Sequence, residues 1–278
     1  MAYTKLTPRH TPGAHVEEIS RGAEYRLIIP AGSAEKYRLA QLDDYTQIPR
    51  SQFPLRSPLS LRLSARTSSD DIYGTWGFGL WNDPFGLSLG FGGNPFRLPA
   101  LPNAVWFFGA SKESYLSFRD SRASSTGFDM PSTNTQATQP SAPPAGTSQR
   151  DAANGFLAQS FRSPKYHPLL ILAGLTLPFS RKSTRRLMSR VIAEDGIRLS
   201  VDVTEWHRYR LDWREKRVSF EIDDIQVFES EVSPSPPLGL VIWIDNQYAK
   251  FTPEGKIGFG VLENSEPAWL EIKDLELS

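Results

Sequence analysis

Apolar and polar residues alternate with period two along much of this chain, most cleanly over 207–228. Tyr209, Leu211 and Trp213 fall on one side of a run whose other side is Arg208, Arg210 and Asp212. After a polar turn at 214–217, Val218, Phe220 and Ile222 alternate with Ser219, Glu221 and Asp223. Asp223 and Asp224 tolerate a tight reversal into 225–228, so the stretch predicts a meander of three antiparallel strands. Beyond a proline-rich crossing at 233–237, residues 238–244 are almost wholly apolar, which predicts a strand covered on both faces.

The same alternation marks Tyr25, Leu27 and Ile29, then Leu59, Leu61 and Leu63, and later Leu270 and Ile272 against Glu271 and Lys273. Residues 36–42, 197–203 and 256–262 read as further strands, and 105–108 with 115–118 as a hairpin. In GTWGFGLW at 74–81, Trp76, Phe78 and Leu80 share one face while Gly77, Gly79 and Trp81 share the other. Glycines inside a strand weaken it and mark a bulge or a close approach to the backbone. Two readings stay open: a groove floor walled by Trp81, or a bulge or close contact between sheets. About a dozen short strands with turn signals between them predict an all-β protein, an antiparallel β-sandwich.

Two stretches break the pattern. Residues 121–154 are Ser, Thr, Ala, Pro, Gln and Gly with almost no large apolar side chain, a composition that cannot offset its own ordering entropy and predicts a flexible loop. Residues 169–177 are nearly all apolar, and Arg181, Lys182, Arg185, Arg186 and Arg190 then interleave with Leu187, Met188, Val191 and Ile192 at helical spacing. The expectation is one domain over 1–278, interrupted by the loop at 121–154 and by an apolar and basic helical insertion at 166–194. The insertion reads as a hairpin packed on the sandwich, a lid, or an interfacial anchor through 169–190. Its apolar run is too short to span a bilayer, which takes about 20 residues.

Composition narrows the function classes. Of 278 residues, 39% are hydrophobic and 12% aromatic, enough for a sizeable core. The 31 basic and 31 acidic residues cancel, so no net field draws the chain to nucleic acid or to an anionic surface. Cysteine is absent, which removes disulfides and thiolate chemistry together. His10, His15, His167 and His207 show no metal-ligand spacing and no phosphate-cradling glycine loop is present, so neither metal nor cofactor is expected. Residues 1–13 hold no apolar signal core, which predicts a cytoplasmic protein, with peripheral membrane contact through 169–190 as the alternative.

HRYRLDW at 207–213, RVSFEIDD at 217–224, PLGLVIWID at 237–245 and WLEIKDLEL at 269–277 together resemble the concanavalin A-like lectin and glucanase superfamily, and within it the laminarinase-like glycoside hydrolases of family 16. The resemblance implies a jelly roll of two curved sheets with a ligand groove on the concave face. It also implies a catalytic strand patterned Glu-x-Asp-x-Glu or Glu-x-Asp-x-x-Glu, just after 76–81, with two glutamates about 5 Å apart. The corresponding segment, 105–118, offers only Glu113. Glu221 with Asp223, and Glu271 with Asp274 and Glu276, lie in late strands and are expected to be solvated. Family 16 hydrolysis is therefore not expected, and fold analogy alone carries no activity.

What remains is Trp243, Asp245 and Gln247 on one face of a strand, near Tyr248, and Trp81 with Asn82 on another. Sugars present C–H faces that stack on indoles and hydroxyls that need amides and carboxylates. The leading expectation is a protein that binds a glycan or other small molecule through Trp81, Asn82, Trp243, Asp245, Gln247 and Tyr248. The alternative for that polar cluster is a turn cap beside a core tryptophan. Two other functions stay open: an enzyme with a non-standard acidic pair drawn from Asp83, Glu113 and Asp245, and a lipid-associated protein using 169–190.

Overall fold

The computed structural model describes residues 6–84, 100–115, 117, 154–164, 188–252 and 257–278. Its strands run β1 (Thr7–His10), β2 (His15–Ser20), β3 (Glu24–Ile29), β4 (Leu39–Asp43), β5 (Leu59–Thr67) and β6 (Thr75–Trp81). Then follow β7 (Ala104–Ala110), β8 (Gly155–Arg162), β9 (Ala193–Arg198), β10 (His207–Trp213), β11 (Val218–Ile222) and β12 (Ile225–Ser230). The last four are β13 (Gly239–Asp245), β14 (Gln247–Phe251), β15 (Ile257–Val261) and β16 (Ala268–Leu277). They build two seven-stranded antiparallel sheets and a separate β14–β15 hairpin. Sheet A has the order β1-β4-β13-β6-β7-β8-β9, and sheet B the order β12-β11-β10-β5-β16-β3-β2. The fold is a jelly-roll β-sandwich, with almost no helix among the described residues.

Between the sheets, one face of each alternating strand is sealed. Leu42, Phe78, Phe107, Leu240 and Ile242 from sheet A meet Leu27, Leu61, Leu211, Phe220 and Leu270 from sheet B in a single buried core. Each such side chain contributes about 1.5–3 kcal/mol when fully withdrawn from water. The meander forms as its pattern predicts: Asp223 and Asp224 both adopt positive φ, 50° and 65°, at the reversal from β11 to β12. β13 is buried along its whole length, as an apolar run demands.

Two expectations need correction. The hairpin of 105–108 with 115–118 does not form among the described residues: β7 pairs instead with β8, and Tyr115 makes only an isolated bridge to Lys250. Strand β8, GFLAQSFR, starts where the polar loop composition ends and supplies the apolar partner that β7 needs. The helical insertion at 166–194 lies largely outside the described residues; within it, residues 188–191 are helical and β9 begins at Ala193. Glu271 is not solvated. It is 1% exposed and ion-paired to Arg26 and Arg66, the residues opposite it on β3 and β5. The predicted loop at 121–154, up to residue 153, and the apolar run at 169–177 lie outside the described residues.

Sheet A has an unusual constraint. All four of its tryptophans face glycine across a strand pair: Trp243 opposite Gly77, Trp81 opposite Gly239, Trp106 opposite Gly79 and Trp76 opposite Gly109. A Cβ added at Gly79 would stand 2.6 Å from the Cα of Trp106, and one at Gly77 2.9 Å from the indole of Trp243. The paired glycines of 74–81 therefore mark close approach, made by indoles of the same sheet. Gly79→Ala is expected to destabilise the fold by about 1–3 kcal/mol, the usual cost of overpacking, because the obstruction is backbone. Urea denaturation of the variant against the parent measures it, and an unchanged midpoint would contradict the packing described.

Candidate functional site

The face of sheet A turned away from sheet B carries Trp81, Trp106, Phe108, Val241 and Trp243, joined by Tyr45, Phe53, Leu157 and Phe161 in a second apolar cluster. Trp243 stacks on Trp81 with ring centres 6.0 Å apart and planes 5° from parallel. Trp106 meets both at a tilt of 57°, with ring centres 6.0 Å and 5.8 Å away. Each indole N–H has an acceptor in the structure: Trp81 donates to the Tyr45 hydroxyl (2.7 Å), Trp243 to Thr75 Oγ1 (3.0 Å) and Trp106 to Gln159 Oε1 (3.4 Å). Trp243 is 6% exposed, whereas Trp81, at the end of its strand, stays partly open.

Asp245 ends β13 and is 5% exposed. It accepts hydrogen bonds from Thr75 N (3.2 Å), Thr75 Oγ1 (2.8 Å), Gln247 N (3.0 Å) and the Tyr37 hydroxyl (3.2 Å). Burial pushes its carboxyl up to about 6, against hydrogen bonds that pull it down. Asn246, fully buried, takes the Arg38 N–H and donates to the carbonyls of Lys36 and Leu262. These two residues tie off the strand. Gln247 and Tyr248 consequently leave sheet A for the β14–β15 hairpin, where Tyr248 lies against Gly260 and 5.3 Å from Lys250 Nζ. The predicted continuous face of Trp243, Asp245 and Gln247 is broken at Asn246 because the chain turns there.

Asn82 bridges the exit of β6 to the entry of β7, donating to the Leu101 carbonyl (2.9 Å) and accepting from Asn103 N (3.0 Å). Asp83 follows with φ 47°, and its carbonyl accepts from Arg50 Nε (3.1 Å). Asp245 pairs with Thr75 at the opposite end of β6, so Asp83 and Asp245 are separated by the length of a seven-residue strand, about 20 Å. Glu113 sits in the turn beyond β7, on the Asp245 side, with Oε2 buried and unpartnered. The structure thus gathers Trp81, Asn82 and Asp83 toward one end of β6, and Asp245, Gln247, Tyr248 and Glu113 toward the other, with Trp243 between them, stacked on Trp81 and bonded to Thr75. The three acid candidates do not come together.

Sequence reasoning missed the turn after β4. Asp43, fully buried, accepts from Tyr45 N (3.1 Å), Thr46 N (2.7 Å), Thr46 Oγ1 (2.6 Å) and Gln41 Nε2 (2.8 Å). Asp44 accepts from Leu240 N at 2.8 Å through Oδ1, while Oδ2 is buried without a partner. Burial pushes the Asp44 carboxyl up to about 7, against the Leu240 N–H. The turn presents the Tyr45 ring 6.2 Å from Trp81 and over Gly239. The available signal was the Asp-Asp-Tyr at the end of an alternating run, the turn chemistry that was read at Asp223 and Asp224.

No family model and no curated protein matches this chain. Among solved structures it is similar to a mixed linkage glucan GH16 protein of Bacteroides ovatus in complex with product, at 10% identity and TM-score 0.45, over 100% of this chain and 96% of that one. It is similar to a Bacillus licheniformis β-glucanase at 9% identity and TM-score 0.43, over 96% of this chain and 89% of that one. A sialidase is also similar, at 7% identity and TM-score 0.40; this chain spans 17% of its length. At these identities and scores the likeness is one of strand layout and brings no chemistry with it.

The buried Asp245 makes stability depend on pH. Its folded value of about 6 exceeds the ordinary 3.8, so between those values the folded chain binds more protons than the unfolded one. Stability from this group therefore rises as pH falls through about 6 and levels off below about 4, a swing on the order of 3 kcal/mol at about 1.4 kcal/mol per pH unit. Asp245→Asn keeps an oxygen for Thr75 and Gln247 and presents an amide to the Tyr37 hydroxyl, so it should fold and lose this slope. Urea titrations of parent and variant at several pH values between 4 and 8 check it, and parallel curves would count against the burial described.

Proposed function

We propose that this chain is a binding protein for a glycan, engaged at the Trp81 end of the outer face of sheet A. One observation carries the reading: Trp81 is a partly exposed indole held rigid by a parallel stack on Trp243 and by its N–H bond to Tyr45. With the N–H occupied, a ligand meets the ring through its apolar surface, the contact that a sugar C–H face makes. Polar groups suited to hydroxyls stand nearby in Asn82, Asp83 and Arg50. A pre-ordered platform also lowers the entropic cost of binding.

Binding is favoured over hydrolysis because β7 directs Ala104, Trp106, Phe108 and Ala110 to the outer face, and none is a carboxyl. A retaining glycosidase needs two carboxyls about 5–5.5 Å apart, one of them raised in pKa. A hydrolytic reading would start from Asp44, whose carboxyl is raised to about 7 and whose Oδ2 has no partner, with Asp83 as the nearby charge felt by Tyr45.

Calorimetric titration with a panel of soluble oligosaccharides, β-glucans included, tests the proposal together with Trp81→Ala. At least one glycan should bind, and the variant should bind it at least about tenfold more weakly while losing no more than about 2 kcal/mol of stability. Reducing ends should not accumulate on incubation. A panel with no binder, or a variant that binds as the parent does, would remove Trp81 from the function; released reducing ends abolished by Asp44→Asn would establish the hydrolytic reading in its place.

A further inference from the structure

A cavity of about 180 Å³ opens at the other end of β6, between the sheets rather than on the outer face of sheet A. Its apolar lining is Ile72, Trp76, Phe156 and Val203, all members of the inter-sheet core. Two polar groups on that lining make no hydrogen bond among the described residues, and one of them, the Ser111 hydroxyl, is buried. Trp76 is 4% exposed and its indole edge lies over Gly109, itself part of the cavity wall, yet Nε1 has no acceptor among the described residues. Ser111 is 5% exposed and its Oγ is likewise unpartnered. A buried hydroxyl without a partner costs about 1–3 kcal/mol, a deficit that a hydrogen-bonding ligand at Ser111 would remove.

The walls carry opposite charges. On the sheet A side, Lys112 follows β7 and Arg198 ends β9. Arg198 is oriented by Nε (3.0 Å) and Nη2 (2.7 Å) on the Asn154 carbonyl, which leaves Nη1 unused, and Lys112 has no ion pair among the described residues. On the other side, Asp70 and Asp71 come from the connection out of β5, and neither carboxylate has a cationic partner among the described residues. The lining thus offers cationic and anionic side chains beside one apolar floor, a set complementary to a ligand that bears both charges.

We propose that this cavity binds a free α-amino acid with an apolar side chain. Its carboxylate would face Lys112, Arg198 and the unpaired donors of Trp76 and Ser111. Its ammonium would face Asp70 and Asp71, and its side chain would cover Ile72, Phe156 and Val203. The cavity volume suits a ligand of that size and excludes a glycan chain, so this site is separate from the one at Trp81.

The test uses the full chain and three probes: L-leucine, 4-methylpentanoate, which lacks the ammonium, and isopentylamine, which lacks the carboxylate. Calorimetry and the indole N–H resonance of Trp76 are the readouts, the resonance being assigned through the backbone so that no core variant is needed. Leucine should bind and move that resonance, and each half-ligand should bind at least about tenfold more weakly. Lys112→Ala and Asp71→Asn, both exposed, should each weaken leucine binding about tenfold and leave the thermal midpoint unchanged, while Trp81→Ala should leave leucine binding intact. No binding up to about 10 mM, half-ligands that bind as well as leucine, or indifference to Lys112→Ala and Asp71→Asn would each overturn the proposal.

Discussion

An indole cannot lie flat along a sheet unless the residue opposite gives up its side chain, and that exchange governs sheet A. Trp76, Trp81, Trp106 and Trp243 each claim the place of a glycine on the neighbouring strand. The arrangement does two things at once. On the inner side it lets Trp76 stack on Phe156, with ring centres 5.0 Å apart, without pushing the sheets apart. On the outer side it lays three indoles side by side on β6, β7 and β13, which turns what could have been a wet face into a second core. The cost is that strands β6 and β13 carry glycine where propensity would choose a β-branched residue, so their order depends on the indoles being in place.

Once the outer face is apolar, polar chemistry has to sit at strand ends. Asp43, Asp245 and Asn246 are buried; Asp43 closes the turn after β4, while Asp245 and Asn246 tie the exit of β13 to Thr75 at the start of β6 and to Lys36 ahead of β4. Asn264 does the same for the chain entering β16, donating to Pro30 and Glu266 carbonyls and accepting from Arg38. Glu271 differs because it lies mid-strand, where Arg26 and Arg66 sit opposite it on both neighbours, and removing both partners would leave a buried charge uncompensated. His207, where the chain enters β10, belongs with the ties: Nδ1 lies 2.6 Å from Asp223 Oδ2 and Nε2 3.0 Å from the Asp202 carbonyl. The hydrogen-bonding capacity of these groups is spent on connecting elements.

Much of the fold could be read from alternation, because a sheet with one buried face writes period two into the chain. The meander of β10, β11 and β12, the apolar β13 and the positions of β3, β5, β6 and β16 all followed from it. Strand β8 escaped because it abuts a polar stretch and its central Gln159 and Ser160 are buried, which hides its pattern. Pairing partners were less legible: nothing in residues 105–118 announces that the neighbour of β7 lies more than forty positions away. The site was legible by residue type and not by geometry. Trp81 and Trp243 were named, and they do stack, but the turn at Asn246 that withdraws Gln247 and Tyr248 depends on Lys36, Arg38 and Leu262, which only the folded chain brings near.

A tryptophan cannot serve fully as core and as ligand platform, because the area it buries against its own sheet is lost to a partner. Trp106 and Trp243 have made that choice; they are 7% and 6% exposed and their N–H groups are satisfied internally. Trp81 stands at the margin, last in its strand, stacked on one neighbour and bonded to Tyr45 while part of it still meets solvent. The buried pair therefore has a different part in recognition from the exposed member: it supplies rigidity, and the contact area has to come from Trp81 and from the polar groups at the exit of β6. The same logic places acid–base chemistry at a disadvantage on this face, since a carboxyl among three indoles would be desolvated with no cation to offset it, and the carboxyls that do approach it, Asp43 and Asp44, are held at the edge by backbone N–H groups.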